Sequence, residues 1–123
     1  MQMKLELVIL PVSDVDRAKA FYTEKIGFHA DVDQVVREDL RFVQLTPPGS
    51  ACSIAIGVGI TDAQPGSVKG LQMVVSDVRA IREELVKRGT DISEIDVQDW
   101  GDFAYFRDPD GNNWSLQQLP KRD

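Results

Sequence analysis

Side chains able to do covalent or metal chemistry are scarce in this chain. It has one histidine, His29, and one cysteine, Cys52. A facial metal site of two histidines and a carboxylate cannot be assembled from a single histidine. A zinc site would want His or Cys together, and these two lie on different predicted strands. No loop shows the oxygen-ligand spacing of a calcium site. A Ser-His-Asp or Cys-His nucleophile set would have to be built around His29 alone. The glycines at 57–59 lack the Lys-Ser/Thr signature and following helix of a phosphate loop. His29 is therefore expected at the surface or a strand edge. Cys52, inside the run Ala51-Cys52-Ser53-Ile54-Ala55-Ile56, is expected to be a buried, inert thiol.

What the chain does offer is aromatic surface. Trp100, Phe103, Tyr105 and Trp114 crowd into its last third. Phe103 and Tyr105 alternate, so they share one side of a strand, with Phe106 on the other. Trp100 precedes Gly101 in a loop, where its ring could close over a ligand. Trp114 and Phe106 are expected in the core. Gln72 interrupts an apolar strand, and a buried amide needs a partner in the protein or in a ligand. A flat apolar wall with a few polar groups suits an organic molecule.

These residues must be positioned by a repeated framework. Val12-Ser13-Asp14-Val15 follows an apolar strand and opens a helix, and Val75-Ser76-Asp77-Val78 does the same. Val15, Ala18, Tyr22 and Ile26 fall on one helical face, and Gly27 stops the helix. Ser13 or Asp14 is a candidate cap for the first helix and Ser76 for the second. Strands are predicted near 5–12, 29–36, 40–46, 51–58, 71–75, 92–97, 102–107 and 113–119. Asp108-Pro109-Asp110-Gly111 is a turn signal between the last two. The order is strand, helix, three strands, twice. This predicts an α+β fold of two βαβββ modules forming a curved mixed sheet with a concave ligand face. Module one spans 1–58, a linker 59–69, and module two 70–123.

Composition limits the partners. The net charge of −6 argues against a nucleic-acid surface. No apolar stretch reaches the roughly 20 residues of a membrane span, and no secretory signal follows Met1, so a cytoplasmic location is expected.

Leu10-Pro11-Val12-Ser13-Asp14, Ala20-Phe21-Tyr22 and Ile26-Gly27-Phe28 resemble the opening module of the vicinal oxygen chelate superfamily. That superfamily includes glyoxalase I, bleomycin-resistance proteins, fosfomycin-resistance enzymes and extradiol dioxygenases. Phe106-Arg107-Asp108-Pro109-Asp110-Gly111-Asn112 is similar to its closing hairpin, so the resemblance covers nearly the whole chain. It implies that a metalloenzyme member would place its ligands at Leu7, Gln44, Gly70 and Ser115. None of these is a good ligand. The expectation is a protein without metal or other cofactor that binds or sequesters a small organic molecule. Leu7, Gln44, Gln72, Trp100, Phe103, Tyr105 and Ser115 are the candidate binding residues. The resemblance further implies a homodimer. A metal-dependent lyase or dioxygenase with atypical ligands, a metal-independent enzyme and a ligand-sensing module are the alternatives.

Overall fold

Among the described residues, the chain runs through eight strands and two helices, the first of which ends in a π-helical turn. The computed structural model describes residues 1–121. Module one contains β1 (Leu7–Ile9), α1 (Val15–Ala20), β2 (His29–Arg37), β3 (Leu40–Thr46) and β4 (Ser53–Val58). Module two contains β5 (Leu71–Val74), α2 (Val78–Lys87), β6 (Asp96–Gln98), β7 (Gly101–Arg107) and β8 (Asn113–Gln118). The α+β expectation is met. The strands pair within each repeat rather than across them, giving two mixed sheets of four instead of one of eight. Their orders are β1-β4-β3-β2 and β5-β8-β7-β6. In each, the first strand runs parallel to the last, and the remaining pairs are antiparallel.

Both helices begin at an aspartate. Asp14 accepts a hydrogen bond from Arg17 N and Asp77 from Ala80 N, satisfying a backbone donor that the first turn leaves free. The second cap is thus Asp77, not Ser76. A carboxylate also answers the positive end of the helix dipole better than a hydroxyl does. The first helix does not stop at Ala20. It widens into a π-helical turn over Phe21–Ile26 and ends at Gly27, whose φ of +94° suits glycine. This turn brings both Phe21 and Tyr22 against the opposite sheet: Phe21 lies 6.2 Å from Phe106, and Tyr22 5.8 Å from Trp114.

One core serves both modules. Val43, Leu45, Ile54 and Ile56 of the first sheet and Ala104, Phe106, Trp114 and Leu116 of the second are all buried in it. Tyr22 lies at its centre, fully buried, stacked on Phe28 at 5.3 Å. Trp114 and Phe106 stack at 6.0 Å, in the core as expected. Their burial supplies the main stabilisation, at about 25 cal/mol per Å² of apolar surface removed from water.

The Asp-Pro-Asp-Gly-Asn turn does more than join β7 to β8. Asp108 Oδ2 accepts from the Tyr22 hydroxyl and from Asn112 Nδ2, both at 2.8 Å. Asn112 Nδ2 also donates to Pro11 O, and Asn112 Oδ1 accepts from Val68 N. Ser13 Oγ donates to Asp110 at 2.6 Å. The segment between the modules is pinned at the same place, because Gly66 N donates to Pro11 O at 3.3 Å. A Cβ on Gly66 would lie 2.0 Å from Asp110 O, so only glycine passes there.

Candidate functional site

Strand alternation decides where the predicted residues point. Gln44 sits between core residues Val43 and Leu45, and Leu7 pairs with Ser53, next to core residue Ile54. Both therefore belong to the outer face of the first sheet. Ser115 lies between core residues Trp114 and Leu116. It is flanked by Gln72 on β5 and Tyr105 on β7. Phe103 and Tyr105 alternate with core residues Ala104 and Phe106. These four occupy the outer face of the second sheet. The shared core lies between the two faces, so they look away from each other. Within one chain, Leu7 and Gln44 form one group, and Gln72, Phe103, Tyr105 and Ser115 form another.

On the first sheet the polar residues are linked in a row. Gln44 Nε2 donates to Ser53 Oγ at 3.2 Å. Ser53 Oγ lies 2.6 Å from Thr46 Oγ1, and Thr46 donates to Asp31. His29 Nδ1 is 2.7 Å from the other Asp31 oxygen. The Thr46 hydroxyl, then His29, hold the Asp31 carboxyl below the usual carboxylate range. His29 is exposed, as expected, and its bond is to Asp31 rather than to a hydroxyl that it could activate.

On the second sheet, Phe103 is buried and carries the half-exposed Tyr105 ring stacked on it at 6.1 Å. The Tyr105 hydroxyl donates to Asp96 at 2.5 Å. That bond is the main reason the phenol's pKa is raised and the Asp96 carboxyl's is lowered, with Gln98 Nε2 adding to the second effect. Gln72 Nε2 donates to Gln117 Oε1 at 2.7 Å, and Gln117 Nε2 to the Trp100 carbonyl at 2.8 Å. Trp100 is 62% exposed. A groove of about 670 Å³ opens on this face, lined by Gly70, Ser93, Tyr105, Arg107, Asn113 and Ser115. A more apolar groove of about 480 Å³ lies beside β5, lined in part by Phe28, Pro47, Met73 and Leu116, with Gln72 at its border.

Asp31, Thr46, Ser53, Asp96, Asn113 and Gln117 belong to these faces, and sequence reasoning missed them. Thr46 lies two residues from Gln44, and Gln117 and Asn113 lie two from Ser115, so strand parity applied to the positions that the resemblance implied would have reached those three. Asp31 and Asp96 needed the pairing register. Cys52 is half-exposed rather than buried, because the turn Pro47–Cys52 keeps it ahead of β4.

The four positions where the resemblance would place metal ligands hold Leu7, Gln44, Gly70 and Ser115. A hydrocarbon, a carboxamide, no side chain and a hydroxyl do not fit a catalytic divalent cation. Among the described residues, no three His, Cys, Asp or Glu side chains come together as a metal cage.

Paired βαβββ modules around a common core, with open outer sheet faces, define the class of fold. The chain belongs to the glyoxalase/bleomycin resistance protein/dioxygenase superfamily, whose family profile matches residues 4–116. It is similar to the crystal structure of TnmS3, an antibiotic binding protein from Streptomyces sp. CB03234. The two are 34% identical over 97% of this chain and 98% of that one, with a TM-score of 0.88. A glyoxalase/bleomycin resistance protein from the same strain is 36% identical over 94% of this chain and all of that one, with a TM-score of 0.82. Among curated proteins, the uncharacterized protein YetH of Bacillus subtilis (strain 168) is 26% identical over 113 residues, covering 90% of this chain and 94% of YetH.

Proposed function

We propose that this protein binds and sequesters a small aromatic organic molecule on the outer faces of its sheets, without a resident metal. The observation that carries the reading is the second outer face. There, the half-exposed Tyr105 ring, backed by buried Phe103, stands beside Ser115 and Gln72, and the exposed Trp100 ring lies in the loop before β7. Such a surface suits a flat ring held by a few polar contacts. The similarity to an antibiotic binding protein supports the same reading. Antibiotics are accordingly the first ligands to try.

Each chain presents Leu7 and Gln44 on one side and the aromatic group on the other. A second copy that set its first sheet against the second sheet of its neighbour would enclose the ligand between them. We therefore infer a homodimer with sites shared between chains. A cytoplasmic location belongs to this reading; no helix among the described residues is long and apolar enough to cross a membrane.

Elemental analysis and a thermal-shift screen of aromatic antibiotics test the proposal together. A ligand at a hundred times its dissociation constant stabilises the folded protein by about 2.7 kcal/mol. The expected result is a substoichiometric metal content, a clear rise in Tm with at least one compound, and quenching of Trp fluorescence with the compound recovered unchanged. A stoichiometric, tightly held metal or a converted compound would replace sequestration with catalysis.

A further inference from the structure

Hydrogen bonds on both outer faces run toward fixed acceptors and, among the described residues, leave glutamine oxygens without a donor. On the first sheet the row starts at the Asp31 carboxylate, which can only accept. Thr46 gives it its single hydroxyl proton. The proton shared between Thr46 Oγ1 and Ser53 Oγ must then come from Ser53. With that proton committed, Ser53 Oγ accepts from Gln44 Nε2. The orientation of the Gln44 amide is thus fixed by a carboxylate two hydroxyls away. Among the described residues, no group donates to Gln44 Oε1.

The second sheet repeats the logic from a different anchor. The Trp100 carbonyl only accepts, so Gln117 turns Nε2 toward it and Oε1 toward Gln72. Gln72 answers with its own Nε2, which leaves Gln72 Oε1 without a donor among the described residues. Tyr105 and Gln98 both direct hydrogens onto Asp96. Asn113 Oδ1, beside the larger groove, is buried with no partner. Arg107 and the Ser115 hydroxyl remain as donors in that groove, and each glutamine keeps one further N–H.

We propose that the ligand is an aromatic compound bearing hydrogen-bond donors, phenolic hydroxyls or N–H groups, which Gln44 Oε1 and Gln72 Oε1 accept. This rests on the binding reading above and adds the polarity of the ligand to it. A ring carrying only ethers would cover these oxygens without replacing the water they lose, which costs affinity. Thr46 and Ser53 act as positioning residues for Gln44.

The test is calorimetric titration of the full chain with 2,6-dihydroxynaphthalene and with 2,6-dimethoxynaphthalene. The two share a ring, but only the first donates. The expected result is tighter binding of the dihydroxy compound by about fivefold or more, the size of one net hydrogen bond. In the Gln44→Met, Gln72→Met double variant, that preference should fall several-fold while the dimethoxy affinity barely moves. Thr46→Val should weaken the preference and Thr46→Ser should keep it, with Tm values confirming that each variant folds. Equal or tighter binding of the dimethoxy compound would overturn the proposed polarity and leave aromatic binding standing. A full preference in the double variant would overturn its assignment to these glutamines. Binding of neither compound would overturn both the polarity and the binding reading beneath it.

Discussion

Tyr22 shows how one side chain can join two halves of a fold. Its hydroxyl accepts from Trp114 Nε1 and donates to Asp108, both at 2.8 Å, in a fully buried setting. Tyr22→Phe keeps the ring and strands the indole N–H, so urea melts should show a loss of about 1–3 kcal/mol. Burial, then the Asp108 charge, push the Tyr22 phenol far above its ordinary pKa of 10.0. An unfolded chain ionises this tyrosine more readily than the folded one does. The corresponding stability is therefore complete below about pH 10 and is lost as pH climbs beyond it. Melts between pH 9 and 11 should show that decline, and it should be shallower in Tyr22→Phe. Trp100 predicts the opposite behaviour. Trp100→Ala should change stability by no more than about 0.5 kcal/mol, since the ring lies in solvent. It should also abolish ligand-induced fluorescence quenching, which a control substitution at exposed Val86 should preserve. At this scale the sequence was legible where a period governed. Tyr22, Phe106 and Trp114 read as inward-facing, and Trp100 as exposed. The hydroxyl contacts of Tyr22 were not legible, because its partners lie near the other end of the chain.

The Asp-Pro-Asp-Gly-Asn turn carries the comparable lesson for elements. Its residue types announce a hairpin, and β7 and β8 do form one. Nothing local announces that Asn112 would tie the hairpin to Pro11 and Val68, since those contacts depend on tertiary packing. Asn112→Ala would leave Pro11 O with one donor fewer and Val68 N unpaired. A cost of about 2–4 kcal/mol is expected in denaturant titrations. Hydrogen exchange should speed up first at Val68 and Asn113, whose amides are bonded at this junction. Strand edges were harder to read. The predicted strand at 92–97 is reduced to Asp96–Gln98, with an isolated bridge from Ile92 to Phe106. Ser93 explains part of this. Its hydroxyl accepts from Tyr105 N, where a continuing ladder would have used a backbone carbonyl.

For the whole molecule, the repeat in the sequence was the informative sign, because it announced the same strand, helix, three-strand order twice; that each copy closes its own four-stranded sheet instead of half of one curved sheet was not legible. Which residues would share a site was less legible. A list of positions on like strands does not say that the two sheets turn their outer faces in opposite directions. The shared-site reading makes a prediction here. Sedimentation equilibrium should give a particle of twice the chain mass.

The contacts of Tyr22 also have a consequence for synthesis. The ring that completes the first module's interior takes its hydrogen-bond partners from Asp108 and Trp114, 86 and 92 residues further along the chain. Long sequence separation of this kind delays folding. A nascent chain holding only residues 1–69 should therefore bind hydrophobic dyes and unfold without a cooperative transition, and it should become protease-resistant only when the closing hairpin has left the exit tunnel.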